Sequence, residues 1–525
     1  MTSSKHGEIN ENTLVSPNTI FIDIFEIVND KLYVLAYYSK SSSENIEVKI
    51  NSDNININPV DFPQIEDFKY FEFNHNLNTD EKFEIKFTPS RIEFSKQCNF
   101  SRIGGYAKTK KYLSVLKGNE IIIQKTTTSG WLKQEFKTIF RMLKHPGKNS
   151  FIVIPFRLAY VLGYPFLKNK HIWFFMDRPE VADDNGIHLF KYAVNKDKDI
   201  KKYFILDKNN ADFESIKKIG DVLPFQSIKH RYLTLFVENI VTSHPENQII
   251  YPFWRSFPYF AGLLKSNNIF LQHGIIKDDI SSWLNKTEMN LSFFLTSSPQ
   301  EYESILQNNY HYDENIVKLL GLPRYDNLKN EENKKQILIM PSWRNYLAGK
   351  SDEEILESEF YKQFNSLLNN EKLIDIAKKY GYEIIFKPHH HIYKFIGLFK
   401  VNDYVKIPPE ETKYQTLFNN GSLLITDYSS VAFDFAYLKK PILYYQYSED
   451  YHFDLKDSYF KYDKMGFGEI CDNEDDLVNK IEECLENDCQ IKDKYLKRIN
   501  EFFIYTDKNN CMRVYDAIKK VPLKD

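Results

Sequence analysis

The feature that most constrains this chain is an alternation of apolar strand-like and amphipathic helix-like stretches that starts near residue 171 and begins again near residue 330. The first series contains HIWFFM, KYFILD, ENIVTSH and NIFLQHG, and the second contains QILIMPS, YEIIFKPH, SLLITD and PILYY. Alternating β and α units build parallel sheets that helices cover on both faces. The pattern therefore predicts two doubly wound, Rossmann-like α/β domains in tandem, over residues 169–330 and 331–525.

The region before these domains has a different pattern. Residues 1–16 are polar and are interpreted as a disordered tail. From residue 17 to residue 128, short alternating runs such as TIFIDIFEIV and KFEIKFT are separated by Asn, Asp, Ser and Pro, which is typical of an all-β, sandwich-like domain. No cluster of ionisable residues stands out there, so we interpret it as an accessory module.

Between these regions, residues 129–168 predict a basic amphipathic segment. Residues 131–170 contain six Lys and two Arg against one Glu, a balance of 8 − 1 = +7. Apolar side chains recur at helical spacing opposite the cations: Trp131, Phe136, Ile139, Phe140 and Leu143. Such a helix can lie on an anionic membrane surface. The alternative is an ordinary helix packed on the domain behind it.

Composition narrows the class further. The 525 residues have a net charge of −3, which does not indicate a nucleic-acid partner. Five cysteines without a CxxC pair argue against a disulfide framework or a zinc ribbon. The polar N-terminus lacks a signal-peptide core, and no run of 18 uncharged apolar residues predicts a membrane span. We therefore expect a peripheral protein on the cytoplasmic face of the membrane.

Polar residues that could bind a ligand or take part in catalysis follow the predicted strands. Ligands of doubly wound domains bind beyond the carboxyl ends of the strands, and two such domains form a cleft, which is the GT-B plan. The residues at these ends are Gln272, His273 and Gly274, then Arg324, Arg344, Lys387, His389, Thr426, Asp427, Ser429 and Ser430. Cations, hydroxyls and imidazoles at one cleft indicate a polar, anionic ligand.

The stretch TDYSS, residues 426–430, predicts an anion site. A helix that begins near Ser430 offers unpaired N–H groups and the positive end of its dipole, and Ser429 can serve as N-cap. Plain N-capping is the alternative. Arg324, Arg344 and Lys387 on the same cleft face favour a diphosphate.

Histidines supply the second hypothesis. A neutral His273 can take a proton from a hydroxyl nucleophile, although a lone histidine is also often structural. The run His389-His390-His391 could suggest a metal, but adjacent side chains are expected to point in different directions and no Cys or carboxylate completes a set. We therefore predict no metal and no cofactor.

Six stretches together resemble the CDP-glycerol glycerophosphotransferase family, the teichoic acid and capsule polymer polymerases and primases. They are LQHGIIKDDISSWLNK, TSSPQEYESIL, GLPRYDNL, MPSWR, IIFKPHH and ITDYSSVAFDFAYLKKPILYY. The resemblance implies that His273 is the base and that phosphates of the donor contact His389, Arg324, Arg344, Thr426, Ser429 and Ser430. Lys387 and Asp427 are assigned to the same donor site, and Gln272, Gly274, Lys277 and Asp278 to the acceptor side. The role of His390 stays open.

The sequence thus predicts transfer of glycerol phosphate, or a related polyol phosphate, from a CDP-activated donor to a lipid-linked or polysaccharide acceptor, with release of CMP. A GT-B glycosyltransferase that uses a sugar nucleotide and a non-catalytic membrane assembly protein are the alternatives. The expected partners are this CDP-polyol donor, the acceptor and an anionic membrane surface, with a homo-oligomer possible. Glycerol versus ribitol, and primase versus polymerase, stay open.

Overall fold

A computed structural model describes residues 18–42, 45–62, 67–89, 91–95, 98–100, 103–146, 149–307, 309–330, 334–447 and 458–524. The expected tail at 1–16 and Lys148 lie outside these ranges. Within them the chain forms two mainly antiparallel sheets, followed by two parallel sheets.

The N-terminal module is a β-sandwich. One sheet has the order β5-β6-β2-β1-β8 and the other β4-β3-β7-β11-β10-β9. Side chains of both sheets, among them Ile20, Val34, Ile85 and Ile121, share one buried core. The strands are β1 (Thr19–Val28), β2 (Lys31–Ser39), β3 (Glu47–Ile50), β4 (Asp53–Asn54), β5 (Asn58–Val60), β6 (Phe68–Asn76), β7 (Phe83–Thr88), β8 (Arg91–Phe94), β9 (Tyr106–Lys108), β10 (Tyr112–Lys117) and β11 (Glu120–Lys125).

Two helices, α1 (Thr128–Lys144) and α2 (Ser150–Leu167), join the module to the first parallel sheet. The guanidinium of Arg157 is fully buried and lies 2.6 Å from the carboxylate of Glu135, while it also donates to the hydroxyl of Tyr106 and the carbonyl of Tyr259. This ion pair locks both helices to the sandwich and to the first parallel domain, because a buried charge needs its partner.

The apolar stripe predicted on α1 divides between two faces. Trp131 and Ile139 pack inside the protein, whereas Phe136, Phe140 and Leu143 are exposed. The apolar stripe is therefore covered by the protein along one edge and open to solvent along the other. On α2, Phe151, Leu162 and Phe166 are each more than 70% exposed.

Helix α2 also qualifies what we expected about a membrane span. Among the described residues, one helix, Ser150–Leu167, is long enough and apolar enough to cross a membrane, and 22% of it is buried inside the protein. The buried Arg157 interrupts its apolar run and holds one face of the helix against the protein.

The first parallel sheet has the order β14-β13-β12-β15-β16-β17-β18. Its strands are continuous apolar runs because helices cover both faces. The strands are β12 (His171–Met176), β13 (Ile200–Leu206), β14 (Val222–Pro224), β15 (Asn239–Thr242), β16 (Asn267–Phe270), β17 (Phe293–Thr296) and β18 (Val317–Leu319); the helices are α3 (Asn185–Ala193), α4 (Phe213–Lys217), α5 (Ile228–Thr234), α6 (Asn247–Ile250), α7 (Phe257–Phe260), α8 (Ser281–Leu284) and α9 (Pro299–Gln307).

The second parallel sheet has the order β21-β20-β19-β22-β23-β24. The strands are β19 (Gln336–Ile339), β20 (Glu383–Phe386), β21 (Val405–Lys406), β22 (Leu423–Thr426), β23 (Ile442–Tyr445) and β24 (Gly468–Cys471). The helices are α10 (Asp352–Glu357), α11 (Glu359–Leu367), α12 (Glu371–Tyr380), α13 (His390–Tyr393), α14 (Tyr414–Asn420), α15 (Val431–Tyr437), α16 (Tyr462–Met465), α17 (Glu474–Glu486), α18 (Asp493–Phe502) and α19 (Asn510–Ile518). The predicted fold class, two Rossmann-like domains behind a β module, is confirmed.

The last helix returns to the first parallel domain. Tyr515 on α19 packs against Trp173 of β12, and the backbone N–H groups of Asn510 and Cys511 donate to the carboxylate of Asp326. One hydrophobic core consequently runs through both parallel domains and fixes the two sides of the cleft relative to each other.

Candidate active site

The strand orders identify where a ligand binds. In each parallel sheet the direction of strand addition reverses once, between β12 and β15 in the first and between β19 and β22 in the second. Crevices at such reversals bind ligands at the carboxyl ends of the strands. Arg178 and His244 follow β12 and β15, and His273 follows β16. Arg344 and the turn Asp427–Ser430 follow β19 and β22, so the two crevices define one candidate site.

A network of side chains holds the loop that carries His273. The side-chain amide of Asn185 donates to the carbonyl of Gln272 at 2.8 Å. A guanidinium nitrogen of Arg324 donates to the carbonyl of His273 at 3.0 Å. Gln272 itself has a φ of 62°, in the left-handed region that few non-glycine residues adopt. These contacts fix an unfavourable backbone geometry and aim the imidazole at the cleft.

The ring of His273 is stacked on a second imidazole. The centroids of His244 and His273 are 4.7 Å apart and their planes differ by 10°. The ring of His273 is exposed to the cleft, but the dense protein around it, together with Arg178 and Arg324, lowers its pKa to about 4. Burial and His273 also lower the pKa of His244 well below its ordinary value. Both rings are therefore neutral near pH 7, as a proton acceptor must be.

Arg178 is a functional candidate that sequence reasoning missed. It is half-buried directly after β12, and its positive charge acts on His244, His273, His389 and His390, which come from both domains. The strand-end criterion could have found Arg178 and His244, because MDR and TSH follow apolar runs as QHG does.

The histidines on the opposite side converge, contrary to expectation. The ring nitrogens of His389, His390 and His391 lie within 4.8 Å of one another, so the prediction that adjacent side chains diverge was wrong. The sharp turn before α13 explains it, because Nδ1 of His389 accepts the backbone N–H of His391 at 3.3 Å and caps the helix. Three imidazoles this close could hold a metal ion. The absence of a metal stays a prediction.

Burial and neighbouring charges keep these imidazoles neutral as well. The pKa of His389 falls to about 3 and that of His390 to about 4 because burial and the adjacent histidines disfavour the cationic form. His273 in the first domain contributes to the lowered pKa of His389, so these two histidines act on each other electrostatically across the cleft.

Arg324 forms ion pairs with carboxylates on both sides of the cleft. Its guanidinium lies 2.7 Å from Asp184 at the start of α3 and 2.6 Å from Asp434 on α15. The side chains of Arg324 and Asp434 are only 12% and 5% exposed. Arg324 therefore ties the domains together and supports the His273 loop. Its assignment to donor phosphates stays a prediction.

Arg344 has a similar bracing contact. It lies 2.8 Å from Asp427, and the two side chains are 5% and 0% exposed. Asp427 also accepts the backbone N–H of Ser342 at 2.8 Å, and the Thr426 hydroxyl donates to the carbonyl of Met340 at 2.7 Å. These bonds hold the ends of β19 and β22 in register beneath the cleft.

Two lysines of the predicted site are also engaged. The ammonium of Lys387 donates to the carbonyls of Pro409 and Glu410, at 3.2 Å and 2.7 Å, and burial lowers its pKa to about 8. Lys277 forms an ion pair with Asp278, and its carbonyl accepts the hydroxyl of Ser458 at 2.7 Å.

The TDYSS turn and the His273 loop face each other at close range. A Cβ atom on Gly274 would lie 2.9 Å from the Ser430 hydroxyl and 3.4 Å from the Ser430 Cβ, so a larger residue at position 274 would press on the Ser430 side chain. The N-cap of α15 is Ser430 rather than the expected Ser429, although the Ser429 hydroxyl accepts the N–H of Val431 at 3.4 Å. Both hydroxyls are half-buried at the cleft.

Two Rossmann-like domains with imidazoles, an arginine and hydroxyls at facing strand ends define the class, a GT-B-type fold. The solved structure of the wall teichoic acid polymerase TagF has this fold, with a TM-score of 0.54 at 15% identity over 74% of this chain and 98% of that chain.

Residues 156–520 match the family described as CDP-Glycerol:Poly(glycerophosphate) glycerophosphotransferase, and the chain belongs to that family. It is 36% identical over 541 residues to the minor teichoic acid biosynthesis protein GgaB of Bacillus subtilis (strain 168), covering 96% of this chain and 60% of that protein. It is 31% identical over 205 residues to the teichoic acid glycerol-phosphate transferase of Staphylococcus aureus (strain NCTC 8325 / PS 47), covering 35% of this chain and 50% of that protein. The chain thus corresponds to about half or more of each relative's length.

Proposed function

We propose that this chain transfers glycerol phosphate, or a related polyol phosphate, from CDP-glycerol to a hydroxyl group of a lipid-linked or polysaccharide acceptor and releases CMP, in teichoic acid-like or capsule polymer synthesis. Family membership supports the reaction class. A variant of the polymerase TagF soaked with CDPG has the same fold, with a TM-score of 0.53 at 17% identity, which is consistent with a nucleotide-activated donor here.

The observation that carries the proposal is the close approach of two strand ends from different domains. The loop of His273 comes within contact distance of Ser430, through Gly274. A hydroxyl nucleophile beside His273 and a phosphate held by Ser429 and Ser430 would then be neighbours. Such proximity is a large part of what phosphoryl transfer requires of a protein.

The chemistry follows from the charges. The neutral imidazole of His273 takes the proton as the acceptor oxygen forms a bond to the β-phosphorus of the donor. The bond from that phosphorus to the bridging oxygen breaks, and CMP leaves with the electron pair. Arg178 and the hydroxyls of Ser429 and Ser430 stabilise the charge that spreads over the transferred group. His389 contacts the donor phosphates from the opposite side.

The proposed location is the cytoplasmic face of the membrane, without a span. Phe136, Phe140 and Leu143 on α1 are exposed together, as are Leu162 and Phe166 on α2. Lys133, Lys137 and Lys144 lie on α1, and Lys168 and Lys170 follow the end of α2. Large exposed apolar side chains next to cations are typical of an interfacial helix. Helix α2 would lie along the surface, because Arg157 holds its other face to the protein.

The test is nucleotide release from defined donors. Purified protein is incubated with acceptor-containing membranes and CDP-glycerol, CDP-ribitol or UDP-sugars, and CMP and UDP are quantified. We expect CMP from a CDP-polyol and none from the His273→Ala variant. Release of UDP instead would identify a sugar-nucleotide glycosyltransferase. Tight binding of CDP-glycerol without release of CMP on any acceptor would identify a non-catalytic assembly protein.

A further inference from the structure

A cavity lined by lysines lies outside the cleft, where the β-sandwich, helix α2 and the first parallel sheet meet. Two adjoining hollows share Lys265 and Lys524 in their walls. Lys108 lines the inner hollow, and Lys110, Lys168 and Lys170 line the outer one. We call this the lysine cavity.

Lys108 at the end of β9 is the most unusual member. It is only 3% exposed, and no salt bridge to a carboxylate is found for it in the part of the chain that the structure describes. Its ammonium donates to the hydroxyl of Tyr164 at 2.7 Å and stands 4.0 Å and 4.9 Å from the ring centroids of Tyr164 and Trp131. Because this amine is buried against a hydroxyl and two aromatic rings, its charged form carries a high desolvation cost.

The other cations increase that cost. Burial, Lys265 and Lys168 together lower the pKa of Lys108 to about 6. The acids in the walls are already engaged, since Glu26 lies 2.7 Å from Lys524 and Glu238 lies 3.0 Å from His171. An anion in the cavity would stabilise the charged form of Lys108, which burial disfavours in the empty cavity, and would relieve the repulsion among its neighbours. A phosphate group suits this role, because its oxygens accept charge-assisted hydrogen bonds from several ammonium groups.

The position of the cavity indicates where the phosphate comes from. Leu167 and Lys168, at the end of α2, form part of its mouth. The outward face of α2 next to this mouth carries exposed Leu158, Leu162 and Phe166. A lipid whose phosphate enters the cavity could therefore lay its acyl chains along α2. Lysines beside an apolar helix face are the usual surroundings of an anionic headgroup.

The cavity is separate from the proposed reaction centre. Its wall includes Val237 and Glu238, which precede β15, whereas His244 follows that strand. The four residues of β15 span about 13 Å at about 3.3 Å per residue. A phosphate in the cavity therefore cannot be the one that reacts beside His273.

We propose that the lysine cavity binds the phosphate headgroup of an anionic membrane lipid at a specific site beneath helix α2. The inference extends the membrane location proposed above, but it can be tested without a membrane and without turnover.

The test uses a short-chain lipid below its micelle concentration. Dihexanoyl-phosphatidylglycerol is titrated into the full chain, and Kd is measured by the fluorescence of tryptophan, since Trp131 lies beside Lys108. We expect saturable binding that weakens at least about tenfold in Lys108→Met, which removes a charge-assisted bond. The variant Lys168→Gln/Lys170→Gln, with both changes at exposed positions, is expected to weaken binding as well and cannot disturb the core.

Matched controls decide between sources of the phosphate and kinds of binding. The variant Lys133→Gln/Lys137→Gln removes the same charge from α1, outside the cavity walls, and should bind like the wild type. If lipid binding weakens equally in that variant, the lysines act only through their general positive charge, and the proposal of a specific site is wrong. Inorganic phosphate or glycerol 3-phosphate that competes at the same concentration as the lipid would overturn the lipid assignment. CMP release in detergent should be unchanged in Lys108→Met, which separates a failure here from a failure of the proposed reaction.

Discussion

The two walls of the cleft are built on the same plan but use their charged residues differently. On the second-domain wall, the cation after β19 is fully engaged, since Arg344 pairs with Asp427. Lys387, after β20, is bound to backbone carbonyls. The first-domain wall also has a braced cation, Arg324, but beside it this wall presents the exposed His273 and the half-buried Arg178.

The difference separates residues that shape the cleft from residues that act in it. A cation that already lies against a buried carboxylate gains little from a phosphate, because its charge is neutralised and its geometry is fixed. The exposed imidazole of His273 is available to a ligand, as is Arg178, for which no ion pair with a carboxylate is found in the described part of the chain. We therefore expect substitutions of bracing residues to lower stability, and substitutions of residues that face the ligand to change turnover or donor affinity.

The largest expected effect is on turnover. His273→Ala should reduce the rate of CMP release by about 10²–10⁴, the range for loss of a general base, with little change in the Kd of CDP-glycerol. His389→Ala should raise the Kd of the donor as well as slow turnover, because its proposed contact is with the donor phosphates. Steady-state rates and calorimetric binding are measured for both variants.

The pH profile gives an independent check of the same assignment. The active form of His273 is neutral and its pKa lies near 4 in this structure, below the ordinary value of 6.5. Activity should accordingly be constant at neutral pH and fall as pH drops through that pKa.

The binding measurements can contradict the assignment of the base. If His273→Ala weakens donor binding as much as His389→Ala does, both histidines belong to the phosphate site and the base is another group.

The next effect is on stability. Arg344→Met leaves the buried carboxylate of Asp427 without its cation, and breaking a buried pair costs about 3–5 kcal/mol. Lys379→Met removes an exposed pair with Glu482 in the same domain, where solvent screens the charges and a much smaller loss is expected. Denaturant unfolding of both variants measures the difference. Equal, small losses would mean that Arg344 is not a brace and that its guanidinium can serve the donor.

The sequence predicts which residues lie at the strand ends, but not which of their side chains are engaged in ion pairs. The two parallel sheets, the β module and the position of His273 and His389 after strands follow from patterns within short stretches. The partners of Arg324 do not, because Asp434 and Asp184 are 110 and 140 residues away along the chain. Such ion pairs depend on how the domains dock. Arg178 was missed for a simpler reason, since the strand-end criterion was not applied to β12.

A smaller effect is expected for Arg178, on donor affinity. Arg178→Gln should raise the Kd of CDP-glycerol by about 10–100-fold, the loss of one charged hydrogen bond. It should also move the acid limb of the pH profile upward, because Arg178 is among the charges that lower the pKa of His273. Arg91→Gln, an exposed position on the β module, removes the same charge as a control. A weakened Kd with an unmoved acid limb would contradict a position beside His273.

The smallest expected effect, none, concerns metal removal. Three imidazoles on the second-domain wall could bind a metal, since their ring nitrogens lie within 4.8 Å of one another. Yet Nδ1 of His389 already accepts the N–H of His391, and in the proposed reaction cations and hydroxyls stabilise the transferred phosphate. We expect CMP release to persist in excess chelator.

A pair of variants tests the same point. A metal site would need all three rings, so His391→Gln, an exposed position, should then be as inactive as His389→Ala. If His389 acts alone, His391→Gln should stay close to the wild-type rate. Complete loss of activity in chelator, restored by Mg²⁺ or Zn²⁺, would instead give the second-domain wall a metal-binding role and make the two walls more alike than we infer.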